Sequence, residues 1–176
     1  KCSRPFEPAV RLMELYPEFH FSCNQAQLFA FTKEHYPELY EQIRGRVAEG
    51  RWHTTGAMWV ESDCNVPSGE SLVRQFLHGL RFYREEFGTR PLSCWLPDVF
   101  GYPGNLPQIL AGCGLRYFMT CKLHWQATNP FPYHLFRWRG IDGSDVIAHI
   151  PKLKSYYNGY PNPEQLTMAW EGYNQK

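Results

Sequence analysis

The sequence predicts an α/β fold, a piece of a (β/α) barrel, and three observations predict it. Short apolar runs of strand character alternate with amphipathic helical segments at roughly thirty-residue spacing, the pattern of parallel strands joined by crossover helices. Acidic residues stand just past two of these runs, Glu61 and Asp63 after one and Asp98 after the other, where α/β folds place their chemistry. Tyr16-Pro17, Gly50, Gly88 and Gly114 punctuate the ends of helical segments. An open doubly wound sheet is the second architecture compatible with this order. A β-hairpin late in the chain is an insertion that neither architecture predicts.

Taken in order, residues 7 to 15 read as a helix with Pro8 near its start and Val10, Leu12, Met13 and Leu15 apolar. Tyr16-Pro17 ends it, and His20 to Cys23 is a short strand. Asn24 is the expected cap of a second helix over Gln25 to Glu34. Pro37 opens a third, in which Leu39, Ile43 and Val47 share one face and Gly50 is the stop. Trp52 to Val60 has strand character. Ser68 caps the longest helix, with Glu70 in its first turn and a wide apolar face from Leu72, Val73, Phe76, Leu77, Leu80, Tyr83 and Phe87. Gly88 closes it. Leu92 to Leu96 is a strand, a short helix follows from about Asn105 to Gly114, and Arg116 to Thr120 is the next strand. Lys122 to Pro132 has no period and reads as loop. Leu135 to Arg139 and Asp145 to Ile150 flank Ile141-Asp142-Gly143-Ser144 as a hairpin. Pro163 begins a last helix. No repeat or linker divides the 176 residues, and a single domain truncated at both ends is expected.

With 43% hydrophobic residues, 20% charged and a net charge of +1, the chain is ordinary globular protein. No basic stripe favours nucleic acid, and no long apolar run favours a membrane. Six cysteines without a CxxC pair argue against a zinc knuckle and for a reducing compartment, while their even number leaves the oxidised alternative open. The aromatic content, 16%, suits both core packing and the walls of a sugar-binding cleft.

The chain is organised around Cys94-Trp95-Leu96-Pro97-Asp98-Val99-Phe100-Gly101-Tyr102. Pro97 cannot donate to a sheet ladder, so the strand stops there and places Asp98 on the following loop. Asp98 either bonds that loop, as Asp does in turns, or acts from it. Converging carboxylates with nearby aromatics suit glycoside hydrolysis and also a hard-cation or zinc site. Trp59, Trp95, Phe100 and Trp125 are candidate stacking surfaces, although residues such as Trp59 and Trp95 are more often core than subsite. Glu61 reads as a solvated loop carboxylate. His124 and His149 lack metal-ligand spacing and read as structural.

Gly56 to Asn65, Ser68 to Gln75, Trp95-Leu96-Pro97-Asp98-Val99-Phe100-Gly101 and Leu106-Pro107-Gln108-Ile109-Leu110 closely resemble the α-mannosidases of glycoside hydrolase family 38. The later Asn129 to Pro132, Phe136-Arg137-Trp138, Ile141 to Ser144 and Tyr157-Asn158-Gly159 fit the same branch, which includes the cytosolic eukaryotic enzyme and many bacterial ones. The resemblance runs in order along essentially the whole chain. It implies a retaining exo-α-mannosidase that removes terminal α-linked mannose from oligosaccharides, a partial (β/α) barrel of that family's catalytic domain, one zinc ion and a cytoplasmic location. It implies that Asp98 is both nucleophile and zinc ligand, that Phe100 lies against the sugar, and that Asp63 supports the substrate pocket. The partner is an α-mannoside oligosaccharide, with no nucleic acid or membrane partner, and a homo-oligomer of the full enzyme is left open.

The family's His-x-Asp zinc motif, its glycine-rich stretch bearing the general acid and its second zinc histidine do not occur in this sequence. The expectation is therefore that the isolated 176 residues neither hold zinc tightly nor turn over. The competing readings are a metal-dependent carbohydrate deacetylase, which would want a His-x-x-x-His motif that is missing here, and a non-catalytic carbohydrate-binding module using the aromatic face.

Overall fold

A computed structural model describes residues 3–124, 128–129, 131–151 and 162–174. Helix α1, Ser3–Leu15, buries Phe6, Ala9, Val10 and Met13 on one face. It starts five residues ahead of Pro8, earlier than the proline rule predicts. The reason is Phe6, whose ring packs against Phe29 and Trp52 at centroid distances of 5.7 and 5.3 Å. Burying that ring outweighs the interior proline. Strand β1, Phe21–Cys23, leads into α2, Ala26–His35, and α3, Pro37–Ala48.

Strand β2, Trp52–Thr54, pairs parallel with β1 in the register Phe21 to Trp52. It is much shorter than the run Trp52 to Val60 predicts. Gly56 and Ala57 take positive φ, 82° and 62°, which no continuing strand tolerates. The freed segment turns back onto α2. There the Met58 and Trp59 carbonyls accept from the Ala26 and Gln27 amides at 3.3 and 3.0 Å. These carbonyls satisfy the amides that a capping side chain would otherwise take, so Asn24 does not cap α2. The N-cap position is Gln25, in a left-handed conformation with φ 67° and no side-chain cap. Asn24 instead donates to the Trp95 carbonyl at 3.4 Å.

Helix α4, Gly69–Phe87, is capped by Ser68, whose hydroxyl accepts from the Ser71 amide, and ends at Gly88 with φ 65°. Its inward face is narrower than the apolar pattern predicts. Leu72, Phe76, Gly79 and Tyr83 are buried, whereas Val73 and Leu77 face solvent. The helix spans two cores. Leu72 and Phe76 belong to one with Met58, Cys94, Leu96, Leu110 and Phe118, and Tyr83 belongs to the other with Phe6, Met13, Phe29, Ile43 and Trp52.

Strand β3, Ser93–Trp95, is followed by α5, Leu106–Gly112, and β4, Tyr117–Met119. Strands β5, Leu135–Arg139, and β6, Asp145–His149, are antiparallel to each other. The second sheet has the order β3-β4-β6-β5, with β3, β4 and β6 parallel. The β5–β6 pair is thus not an insertion beside the sheet, because β6 is its third parallel strand. A final helix, α6, covers Pro163–Asn174. The five cysteines among the described residues are free thiols, and Cys2 lies outside those residues. No helix among them is long and apolar enough to cross a membrane.

Two glycines in helix interiors separate packing from propensity. A Cβ on Gly79 would press on the Ala57 carbonyl oxygen and lie 2.6 Å from the Met58 carbonyl carbon, both backbone. Gly45 in α3 has open space around it. Gly79→Ala is expected to destabilise the fold by about 1–3 kcal/mol despite alanine's better helix propensity. Gly45→Ala should stabilise it by about 0.5–1 kcal/mol. Thermal unfolding of the two variants beside wild type checks both signs.

Candidate active site

Four loops, each leaving the C-terminal end of a parallel strand, carry the polar groups of interest. Gln25 follows β1, Glu61 and Asp63 follow β2, Asp98 and Phe100 follow β3, and Lys122 follows β4. Gln25, Glu61, Asp63, Asp98, Val99 and Phe100 line one cleft of about 400 Å³. The arrangement is the one that parallel α/β sheets favour, with site residues beyond the carboxyl ends of the strands.

The loops are fixed from within. The Tyr102 hydroxyl donates its one proton to the Leu96 carbonyl at 2.7 Å and accepts from the Thr120 hydroxyl, so one phenol ties the end of β3 to the end of β4. The Thr120 hydroxyl in turn accepts from the Lys122 amide at 3.1 Å. Asp63 accepts at one oxygen from the Asn65 and Val66 amides, both at 2.8 Å, an Asx turn that shapes its own loop. Asn65 packs against Gly101, its Nδ2 filling the place a Cβ would take, and the φ of 149° there also favours glycine.

The charges converge on Asp98. Lys122 Nζ lies 2.5 Å from Asp98 Oδ1, with the lysine side chain 9% exposed and the aspartate 45%. The same ammonium sits 4.4 Å from the centroid of the Phe100 ring, a cation–π contact. The Phe100 side is otherwise open, the residue being 81% exposed. Glu61 Oε1 accepts from the Asp98 amide at 2.8 Å. Burial raises the pKa of Glu61 above the ordinary glutamate value, and the negative Asp98 adds to this. The Asp98 amide and Lys122 oppose the rise.

Asp98, Phe100 and Asp63, the three residues singled out in the sequence, line the same cleft. Two readings change. Glu61 is not a solvated loop carboxylate but a half-buried one bonded to Asp98. Trp59 faces a different cavity, with Ser71, Arg74, Gln75 and His78, and packs on Phe82 at 5.8 Å. Trp125 lies outside the described residues. Lys122 was hidden in an aperiodic stretch. Its signal was positional, since it follows β4 as Asp98 follows β3.

Among the described residues no three His, Cys, Asp or Glu side chains converge as a metal site. One carboxylate whose Oδ1 is already covered by an ammonium is a poor donor set for zinc, which wants three or four protein ligands. The described residues do not by themselves fit a zinc ion.

Comparison with known proteins identifies the family. The profile of the glycosyl hydrolases family 38 N-terminal domain matches residues 1–176, and the chain belongs to that family. Alpha-mannosidase G of Dictyostelium discoideum is 46% identical over 169 residues, which is 96% of this chain and 16% of that protein. Human alpha-mannosidase 2C1 is 49% identical over 156 residues, 89% of this chain and 15% of its own length. The chain thus spans about a sixth of these relatives. In fold, it is similar to an alpha-mannosidase from Enterococcus faecalis V583 with a TM-score of 0.73, at 22% identity over 94% of this chain and 19% of that one. A 4-alpha-glucanotransferase from Thermococcus litoralis reaches 0.76 at 16% identity, over 99% of this chain and 27% of that one.

Tyr102→Phe removes the bonds to Leu96 and Thr120 at once. It is expected to cost about 1–3 kcal/mol. Denaturant unfolding measures the loss.

Proposed function

We propose that the protein to which this chain belongs is a retaining exo-α-mannosidase that removes terminal α-linked mannose from oligosaccharides, with Asp98 as its nucleophile. The observation that carries the reading is the placement of Asp98. It stands beyond a parallel strand at the cleft, its carboxylate against the ammonium of a largely buried lysine side chain and an exposed aromatic ring beside it. The names of the 40–49% identical relatives, alpha-mannosidases, support the substrate class.

In this reading an Asp98 oxygen attacks the anomeric carbon while a second carboxyl group, contributed from outside these 176 residues, protonates the departing glycosidic oxygen. Such a pair stands about 5 Å apart. The bond to the sugar cancels the Asp98 charge that faces Lys122. The Phe100 ring face continues to hold the ammonium near the reacting carboxyl. Water, giving a proton to that second carboxylate, then cleaves the glycosyl ester, and the returning Asp98 carboxylate again faces Lys122. Phe100 offers its exposed surface to the apolar side of the sugar ring, and Asp63, anchored by its turn, borders the pocket. Zinc is proposed as the cofactor, with Asp98 as one ligand and the rest supplied by other parts of the full protein. The two sheets are proposed as arcs of one (β/α) barrel, and the cytoplasm as the compartment.

The test uses the complete protein and an aryl α-mannoside. Asp98→Asn is expected to lower kcat by about 10⁴-fold, a chelator to abolish turnover, metal analysis to give one zinc per chain, and proton NMR to show α-mannose as the first product. Turnover that survives Asp98→Asn overturns the reading.

A further inference from the structure

We propose that Glu61 is a positioning residue for the nucleophile, gripping the Asp98 backbone so that its carboxylate leaves the loop in one direction. The inference rests on the reading of Asp98 as nucleophile.

The geometry is specific. Pro97 has no amide hydrogen, so the Asp98 amide is the first donor beyond Leu96. It is taken by a carboxylate 37 residues earlier in the chain, at 2.8 Å. An acceptor that only had to satisfy this amide is available in water, since Asp98 is exposed. A carboxylate half removed from solvent is an expensive substitute, more so beside another carboxylate. Its placement gains rigidity instead, because the segment carrying Glu61 is itself fixed to the longest helix. The Trp59 amide donates to the Gln75 carbonyl at 2.9 Å and the Val60 amide to Gln75 Oε1 at 3.0 Å.

Asp98 is therefore held at two points from two directions. Glu61, reaching from the loop after β2, fixes its peptide plane. Lys122, from the loop after β4, fixes its carboxylate. With both ends set, little freedom remains at the bonds between. An attack on an anomeric carbon needs that restriction, since a displacement of about 1 Å costs on the order of 10²-fold in rate. Glu61 acts on the reaction through Asp98 and needs no contact with the sugar.

The test compares Glu61→Gln, which keeps an acceptor oxygen at the same reach, with Glu61→Leu, which has none, in the full-length protein. Glu61→Leu is expected to lower kcat for an aryl α-mannoside by about 10²-fold with KM little changed. Glu61→Gln should remain close to wild type. Hydrogen exchange of the peptide covering residues 96–101 should quicken in the leucine variant and not in the glutamine variant. If Glu61→Leu does not fold, Glu61→Asp, shortened by one methylene, carries the same comparison and should lose kcat. An unchanged kcat in Glu61→Leu, equal losses in the leucine and glutamine variants, or unchanged exchange at residues 96–101 overturns the inference. Failure of the nucleophile reading is seen separately, as turnover surviving Asp98→Asn.

Discussion

The hydrogen bond from the Asp98 amide to Glu61 does more than order one loop. The described strands form two sheets, one of β1 and β2 and one of β3, β4, β6 and β5, with no ladder shown between them. Across that gap the connections are side chain to backbone. Asn24, beyond β1, donates to the Trp95 carbonyl, and Glu61, beyond β2, accepts from Asp98. Both cross from the first sheet to the end of β3. The cleft lies where they cross, so its shape depends on the same few contacts that bring the sheets together at that edge.

Its electrostatics follow from that arrangement. Glu61 and Asp98 bring two negative charges to one small region, and Lys122 is the cation shared between them. The Lys122 side chain is only 9% exposed, and its ammonium lies against the Asp98 oxygen and the Phe100 ring. The one long helix behind the site, α4, holds the loop bearing Glu61 through Gln75 and joins both cores through Phe76 and Tyr83. Scaffold and site are thus mechanically continuous.

Much of the framework was legible because it rests on local chemistry. Ser68 and Gly88 bound α4 as their residue types dictate, and the alternation around Asp142 and Gly143 sets the β5–β6 pair. Asp98 was legible for a similar reason, since Pro97 must end its strand. What stayed hidden depends on partners distant in the chain. Nothing near Glu61 tells that its acceptor role lies at residue 98, and nothing near Asn24 tells that carbonyls from residues 58 and 59 will displace it as a cap. The early start of α1 belongs to the same class, because it is Phe29 and Trp52 that draw Phe6 into the helix.

The outermost strand carries a deterrent of its own. β5 ends the second sheet, with one side of its backbone unpaired by any other described strand. A bare edge is a template for a stranger's strand. Here Arg137 and Arg139 project from it exposed, both drawn to Asp145 on β6. Two guanidiniums share a single carboxylate, so the rim keeps a positive excess. A second copy approaching edge to edge would bring the same excess with it, and like charges would meet before any backbone bond could form. The charges on β5 thus disfavour edge-to-edge pairing of two copies, through residues that take no part in the cleft.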